Sequence, residues 1–244
     1  MKTFGLIGRN IDYSFSKSYF NTKFNNEAIK AKYINYDIEN IKEIKQIVSN
    51  SIELAGLNVT TPYKEEVIPF LDEIDSQAER IGAVNTIKIE NKKLIGYNTD
   101  VFGFTKSIFS LIAPNHEAAL ILGTGGAAKA VRHALVSMGY QINFVSRDKD
   151  KGDFTYDELN AEIIKNHQLI VNCTPLGTHP DVNQCPPIPF EFINETHLLY
   201  DLIYNPSITS FLAQGKEKGA QIINGEQLLI AQAEKSWEIW NAEV

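Results

Sequence analysis

The chain is 244 residues long, room for one large or two small domains at roughly 150 residues each. Apolar residues make up 43% and charged residues 22%, ordinary globular usage that excludes wholesale disorder and allows a core without disulfide staples. Lys and Arg number 23 against 30 Asp and Glu, and the net charge of -7 argues against binding along a nucleic-acid backbone.

In chain order, apolar runs predict strands over residues 4–7, 33–36, 54–59, 118–122, 142–145, 169–172, 197–201 and 221–223. The opening segment breaks its apolar run too early for a signal-peptide core and reads as the first buried strand. No segment has the roughly 18 consecutive apolar residues of a membrane span. An unexported, cytoplasmic chain without a membrane partner is therefore expected. Helical patterns cover residues 101–111, 127–138 and 225–240, and another runs through Phe20 and Phe24. Alternating strands and helices predict an α/β protein built from βαβ units and parallel sheets. The turn-like Ala113-Pro114-Asn115-His116 after the helical 101–111 places a domain junction between about Asp100 and Pro114. Cys173 and Cys185 lack CxxC spacing, and His116, His133, His167, His179 and His197 lack metal-ligand spacing, so no metal site is expected.

The predicted strand 118–122 runs into Gly123-Thr124-Gly125-Gly126-Ala127-Ala128 and then a helix. Gly123 permits a tight turn, Gly125 lets backbone approach a pyrophosphate, and small Ala128 allows helix and strand to pack closely. A glycine-rich turn without a ligand is the alternative. The next strand ends in Ser146-Arg147-Asp148-Lys149-Asp150-Lys151, with Ser146 and Arg147 where an NAD enzyme usually carries an acid. Arg147, with Lys151 behind it, suits a 2′-phosphate and favours NADP; a solvated charge run is the bland reading.

Polar residues are dense in four strings: Tyr13-Ser14-Phe15-Ser16-Lys17, Asn58-Val59-Thr60-Thr61-Pro62-Tyr63-Lys64, Gly82-Ala83-Val84-Asn85-Thr86 and Gly96-Tyr97-Asn98-Thr99-Asp100. Each is expected at or near the end of an apolar strand, where open α/β sheets place ligand groups. Their hydroxyls, amides, ammonium and carboxylate suit a small polyhydroxylated substrate with its own carboxylate. Taken singly, Ser14 or Ser16 reads equally as a helix cap, Thr60 as a turn residue and Lys64 as a surface lysine; their joint occurrence favours a site.

These strings, together with Asn172-Cys173-Thr174-Pro175-Leu176-Gly177, Asp201-Leu202-Ile203-Tyr204 and the closing Asn224-Gly225 and Gln232-Ala233, resemble the shikimate dehydrogenase family over nearly the whole chain. The resemblance implies an NADP-dependent oxidoreductase that reversibly reduces 3-dehydroshikimate to shikimate on the route to chorismate and aromatic amino acids. It implies a substrate-binding α/β domain over residues 1–100, rejoined by a C-terminal helix in 225–244. A Rossmann-like, doubly wound parallel-sheet NADP domain would span 101–224. Ser14, Ser16, Thr60, Asn85, Tyr204 and Gln232 would bind substrate, and Lys64 and Asp100 would be catalytic. Gly123, Gly125, Gly126 and Ala127 would lie under the pyrophosphate, Ser146, Arg147 and Lys151 around the adenosine phosphate, and Leu202 and Gly225 beside the nicotinamide.

Tyr13 and Lys17 depart from the usual His-Ser-x-Ser-Pro, Ser146-Arg147-Asp148 from Asn-Arg-Thr, and Thr178 from a common Met. Asp148 would set a negative charge beside the 2′-phosphate. Ketone reduction leaves an alkoxide that needs a proton; Lys64 can supply it and Asp100 would keep the ammonium charged and oriented. A plain Lys–Asp ion pair is the alternative. A quinate/shikimate dehydrogenase, a paralogue with altered substrate or NAD preference, and a non-catalytic sensor are the competing functions, and a monomer or homodimer is expected.

Overall fold

The structure is a computed structural model and describes residues 1–12, 14–112 and 117–242; Tyr13 and the expected turn at 113–116 lie outside them. The chain divides into two compact units, residues 1–103 with the chain from Leu229 onward, and residues 104–228. Each is an α/β unit around its own six-stranded sheet.

In the first unit the strands are β1 (Lys2–Gly8), β2 (Ala31–Asp37), β3 (Leu54–Val59), β4 (Glu73–Ile74), β5 (Thr86–Glu90) and β6 (Lys93–Tyr97), in the order β2-β1-β3-β5-β6-β4. β1 is central and parallel to β2 and β3, and its side chains after Lys2 are all buried, as a strand covered on both faces requires. β5 runs antiparallel to β3 and β6. The sheet is therefore mixed, a correction to the expected parallel arrangement. The β5–β6 hairpin turns at Asn91 and Lys92, with φ of 50° and 66°, the double positive φ that matches strand twist in a two-residue turn. Helix α1 (Phe15–Asn26) is capped by Ser14, whose Oγ accepts from the Lys17 N–H at 3.3 Å; α2 (Ile44–Asn50), α3 (Ser76–Ile81) and α4 (Asp100–Ile108) follow.

The second unit contains β7 (Ala118–Leu122), α5 (Gly126–Ser137), β8 (Gln141–Ser146), β9 (Phe154–Thr155), α6 (Ala161–Asn166), β10 (Leu169–Asn172), β11 (Leu198–Asp201), α7 (Ser210–Glu217) and β12 (Gln221–Ile223). Its sheet is parallel throughout, in the order β12-β11-β10-β7-β8-β9. Counting from β7 as the first strand, this is the doubly wound dinucleotide-binding order, with the reversal between β7 and β10. Leu120, Leu122, Val145, Ile170 and Leu199 are buried on one side of that sheet against Phe211 and Leu212 of α7.

Helix α8 (Glu226–Asn241) carries the chain back into the first unit. Trp240, 4% exposed, packs with Phe4, Phe20, Phe24 and Tyr33, and its indole N–H donates to the Ile87 carbonyl at 3.0 Å. Gly56 makes that packing possible, because a Cβ there would overlap the indole ring. The unit limits thus fall inside α4 and α8, after the first residues of each helix.

Candidate active site

In the first unit, β3 ends at Val59, and the following loop brings Lys64 against the segment that leads into β5, where its carbonyl accepts from the Val84 N–H at 2.8 Å. Lys64 Nζ donates to Asp100 Oδ2 at 2.7 Å, and the two side chains are only 16% and 10% exposed. Asp100 Oδ1 accepts from Asn85 Nδ2 at 2.8 Å, so both oxygens of this carboxylate are held. Its backbone is fixed as well, because Asn98 Oδ1 accepts from the N–H groups of Asp100 and Val101 at 3.1 and 3.3 Å. The pair is a fully oriented, poorly solvated ammonium–carboxylate, not a surface ion pair.

Asn85 sets the polarity of the cluster. The Thr99 backbone N–H, which can only donate, reaches Asn85 Oδ1 at 2.8 Å and so turns the amide nitrogen toward Asp100 Oδ1 and Gln232 Oε1, both at 2.8 Å. Gln232 on α8 is thereby held by its carbonyl, leaving its own amide N–H groups as donors. The string around Asn85 corrects one expectation. It does not end a strand but follows α3, whose C-cap Gly82 has φ of 71°, and leads into β5.

Ser14 does cap α1, in keeping with the helix-cap reading, and its hydroxyl also donates to Asn35 Oδ1 at 3.0 Å. Ser16 stands beside the Tyr33 hydroxyl, which donates to Asn58 Oδ1 at 2.8 Å. Thr60 is half-buried directly after β3, its N–H donating to the Ile7 carbonyl at 2.9 Å. The sequence did not single out Ser236, Thr86 or Asn58 as ligand-holding residues. All three are buried and tie α8 to Asn85: Asn58 Nδ2 donates to Ser236 Oγ at 3.0 Å and to the Asn85 carbonyl at 3.2 Å, and Thr86 and Ser236 hydroxyls meet at 2.8 Å. Ser236 stands four residues after Gln232, the spacing that puts both on one helix face, and that was the available signal.

In the second unit the glycine turn leaves β7 at Gly123, whose φ of 98° a side chain would strain. A Cβ there would also stand 3.2 Å from Thr174 Cγ2, so the loops after β7 and β10 approach closely at the strand-order reversal. Gly125 is the N-cap of α5; Gly126 and Ala127 open the helix, whose first turn has no acidic side chain. A Cβ on Gly125 would have nothing within 4 Å. This bare, open N-terminus with its unshared N–H groups fits a dinucleotide pyrophosphate. Ser146 is buried and its Oγ accepts from the Asp148 N–H at 3.1 Å, while Arg147 is exposed. Asp148 pairs with Lys151 at 3.1 Å, and Lys151 with the Asp150 N–H holds that carboxyl below its usual range. Lys151 is thus shared with an acid of its own loop. Leu202 follows β11, its N–H donating to the Asn172 carbonyl at 3.1 Å. Gly225 admits no side chain, since a Cβ would overlap the Leu202 carbonyl. Tyr204 lies in the same loop, half-buried, and burial raises its phenol above the usual range.

Among the described residues no cluster of His, Cys, Asp or Glu could hold a metal ion, and no helix is long and apolar enough to cross a membrane. A parallel sheet of dinucleotide-binding order with a phosphate-ready glycine turn, carried by a chain that also holds a partly buried lysine–carboxylate pair, defines a dinucleotide-dependent oxidoreductase. A family profile described as the shikimate dehydrogenase substrate binding domain matches residues 6–87, and the NADP(+) shikimate dehydrogenase of Clostridium botulinum strain Hall is 40% identical, the match covering 98% of this chain and 96% of the relative. The chain belongs to the shikimate dehydrogenase family. The solved shikimate dehydrogenase of Aquifex aeolicus is 35% identical with a TM-score of 0.88, covering 100% of this chain and 94% of that one. That of Thermus thermophilus, crystallised with NADP(H) and shikimate, is 27% identical with a TM-score of 0.88, covering 100% and 95%.

Proposed function

We propose that this chain is an NADP-dependent shikimate dehydrogenase that interconverts 3-dehydroshikimate and shikimate in chorismate and aromatic amino acid biosynthesis in the cytoplasm. The observation that carries the reading is the run of contacts from Lys64 through Asp100 to Asn85 and Gln232. When bound, NADP(H) supplies or takes the hydride at the carbonyl carbon. Lys64 gives a proton to the oxygen as the ketone becomes an alkoxide, and takes it back in the oxidative direction. Asp100 keeps the ammonium charged and pointed, and Asn85 keeps Asp100 from turning. Gln232 offers N–H donors to substrate oxygens. Ser14, Ser16, Thr60 and Tyr204 complete recognition of the carboxylate and hydroxyls. The first unit is the substrate domain and the second the NADP domain, with Gly123, Gly125, Gly126 and Ala127 at the pyrophosphate, Ser146, Arg147 and Lys151 at the adenosine phosphate, and Leu202 and Gly225 at the nicotinamide.

Absorbance at 340 nm with shikimate and quinate, each with NADP+ and NAD+, tests this. Shikimate with NADP+ should give the highest kcat/KM of the four. A second reading, in which NAD+ is used beside NADP+, rests on the Asp148–Lys151 pair, which draws the lysine away from a 2′-phosphate. Comparable kcat/KM for the two nucleotides would select it, and no turnover with any pair would reject both.

A further inference from the structure

At the end of β11 a carboxylate is buried with no cationic partner among the described residues. Asp201 has no exposed surface. Its Oδ1 accepts from Asn172 Nδ2 at 3.1 Å and the Ile203 N–H at 3.0 Å, and its Oδ2 accepts from the Thr209 hydroxyl at 2.6 Å. These partners are neutral, and burial outweighs them, pushing the carboxyl up to about 6, so it is ionised at pH 8. An asparagine could satisfy the same neighbours. Its carbonyl would accept from Asn172 and Ile203, and its amide could donate to Thr209 Oγ1, which already accepts from the Leu212 N–H at 3.3 Å. A buried charge costs stability that a neutral amide would not. What aspartate adds here is therefore the charge, not the hydrogen bonds.

The surroundings indicate where that charge acts. Asn172 ends β10 and Asp201 ends β11, beside the strand-order reversal outside whose carboxyl ends such sheets bind ligands. The same carboxylate fixes the start of the Leu202–Tyr204 loop through Ile203, and through Asn172 the loop that carries Thr174, whose N–H donates to Asn172 Oδ1 at 3.0 Å. We propose that Asp201 supplies a fixed negative charge to the nicotinamide end of the cofactor site, favouring the oxidised, cationic ring over the reduced, neutral one. The proposal rests on the reading of the second unit as an NADP(H) site. Asn172 and Thr209 are the positioning residues that hold the charge in place.

Isothermal titration of NADP+ and NADPH into the wild-type chain and Asp201→Asn at pH 8 tests it. In the variant NADP+ should bind roughly tenfold more weakly while NADPH changes by less than about twofold, the effect of one charge on a neighbouring one in a partly desolvated site. Asp201→Ser, also neutral, should show the same skew and serves if the amide variant does not fold. Equal losses for both nucleotides, or no change in either, would overturn the proposal and leave the NADP reading standing. A wild-type chain that binds neither nucleotide would overturn the NADP reading itself, and this proposal with it.

Discussion

Replacing Lys64 with alanine separates chemistry from packing. The substitution removes the ammonium 2.7 Å from Asp100 Oδ2 and leaves that carboxylate, 10% exposed, with Asn85 on its other oxygen. Loss of a positioned proton donor lowers turnover by roughly 10²–10⁴, or about 2.7–5.5 kcal/mol of transition-state stabilisation. Stranding a largely buried carboxylate also costs stability, up to about 3–5 kcal/mol if none of it is recovered by water. Steady-state kinetics in both directions should therefore show a collapse of kcat with the KM for shikimate within about threefold, alongside a lower melting temperature. Lys64→Arg isolates the first effect. A guanidinium keeps the charge pair but does not release its proton at working pH, so stability returns while turnover stays low. Alanine turnover within tenfold of wild type would falsify the acid/base role; full activity of the arginine variant would show that charge alone is required.

Arg147→Ala should raise the KM for NADPH at least roughly tenfold, the loss of a charged hydrogen bond, and leave that for NADH nearly unchanged. Asp148→Thr releases Lys151 and should raise the ratio of kcat/KM for NADPH over NADH, most clearly at low salt because the pair is exposed; an unchanged ratio means the acid does not govern cofactor choice. Ser236→Ala deletes a buried hydroxyl that anchors α8 beside Asn85, and should cost about 1–3 kcal/mol of stability and raise the KM for shikimate more than it lowers kcat. An unaltered KM in a destabilised variant would reduce Ser236 to a packing residue. The carboxyl of Asp201 has a folded pKa of about 6, above its unfolded 3.8, so the native state is the better proton acceptor. It imposes no penalty below pH 3.8 and up to about 3 kcal/mol above pH 6. Chemical denaturation of wild type and Asp201→Asn should thus diverge in favour of the variant as pH rises from 4 to 7, and a pH-independent difference would contradict the buried charge.

Much of this was legible because local chemistry and tertiary role coincide. Gly123 and Gly125 can be read from one short string because a phosphate-binding turn is made by consecutive backbone groups. Lys64, Asn85 and Asp100 stood out through polar density after or before apolar runs. The β5–β6 hairpin did not, since Thr86–Glu90 alternates with a lysine and a glutamate, and its turn is Asn-Lys instead of the Asn-Gly that announces such a connection. That omission is what made the first sheet look parallel. Ser236 was hidden for another reason. Serine within a helix is ordinary in composition, and only the fold shows that Asn58 and Thr86 arrive at it from β3 and β5.

The two buried carboxylates illustrate why residue type underdetermines role. Asp100 stands three residues after β6 and Asp201 ends β11, and both accept an asparagine amide, at 2.8 and 3.1 Å. Asp100 also meets an ammonium, so its charge is compensated and can hold a proton carrier in place. Asp201 meets neutral donors, one of them the N-cap Thr209 of α7, so only dipoles offset its charge and the remainder of its field extends beyond the strand ends. A sequence string shows an aspartate in each case. The difference between steering a proton and biasing a ring's charge comes from which partner, Lys64 or Thr209, the fold sets against the second oxygen.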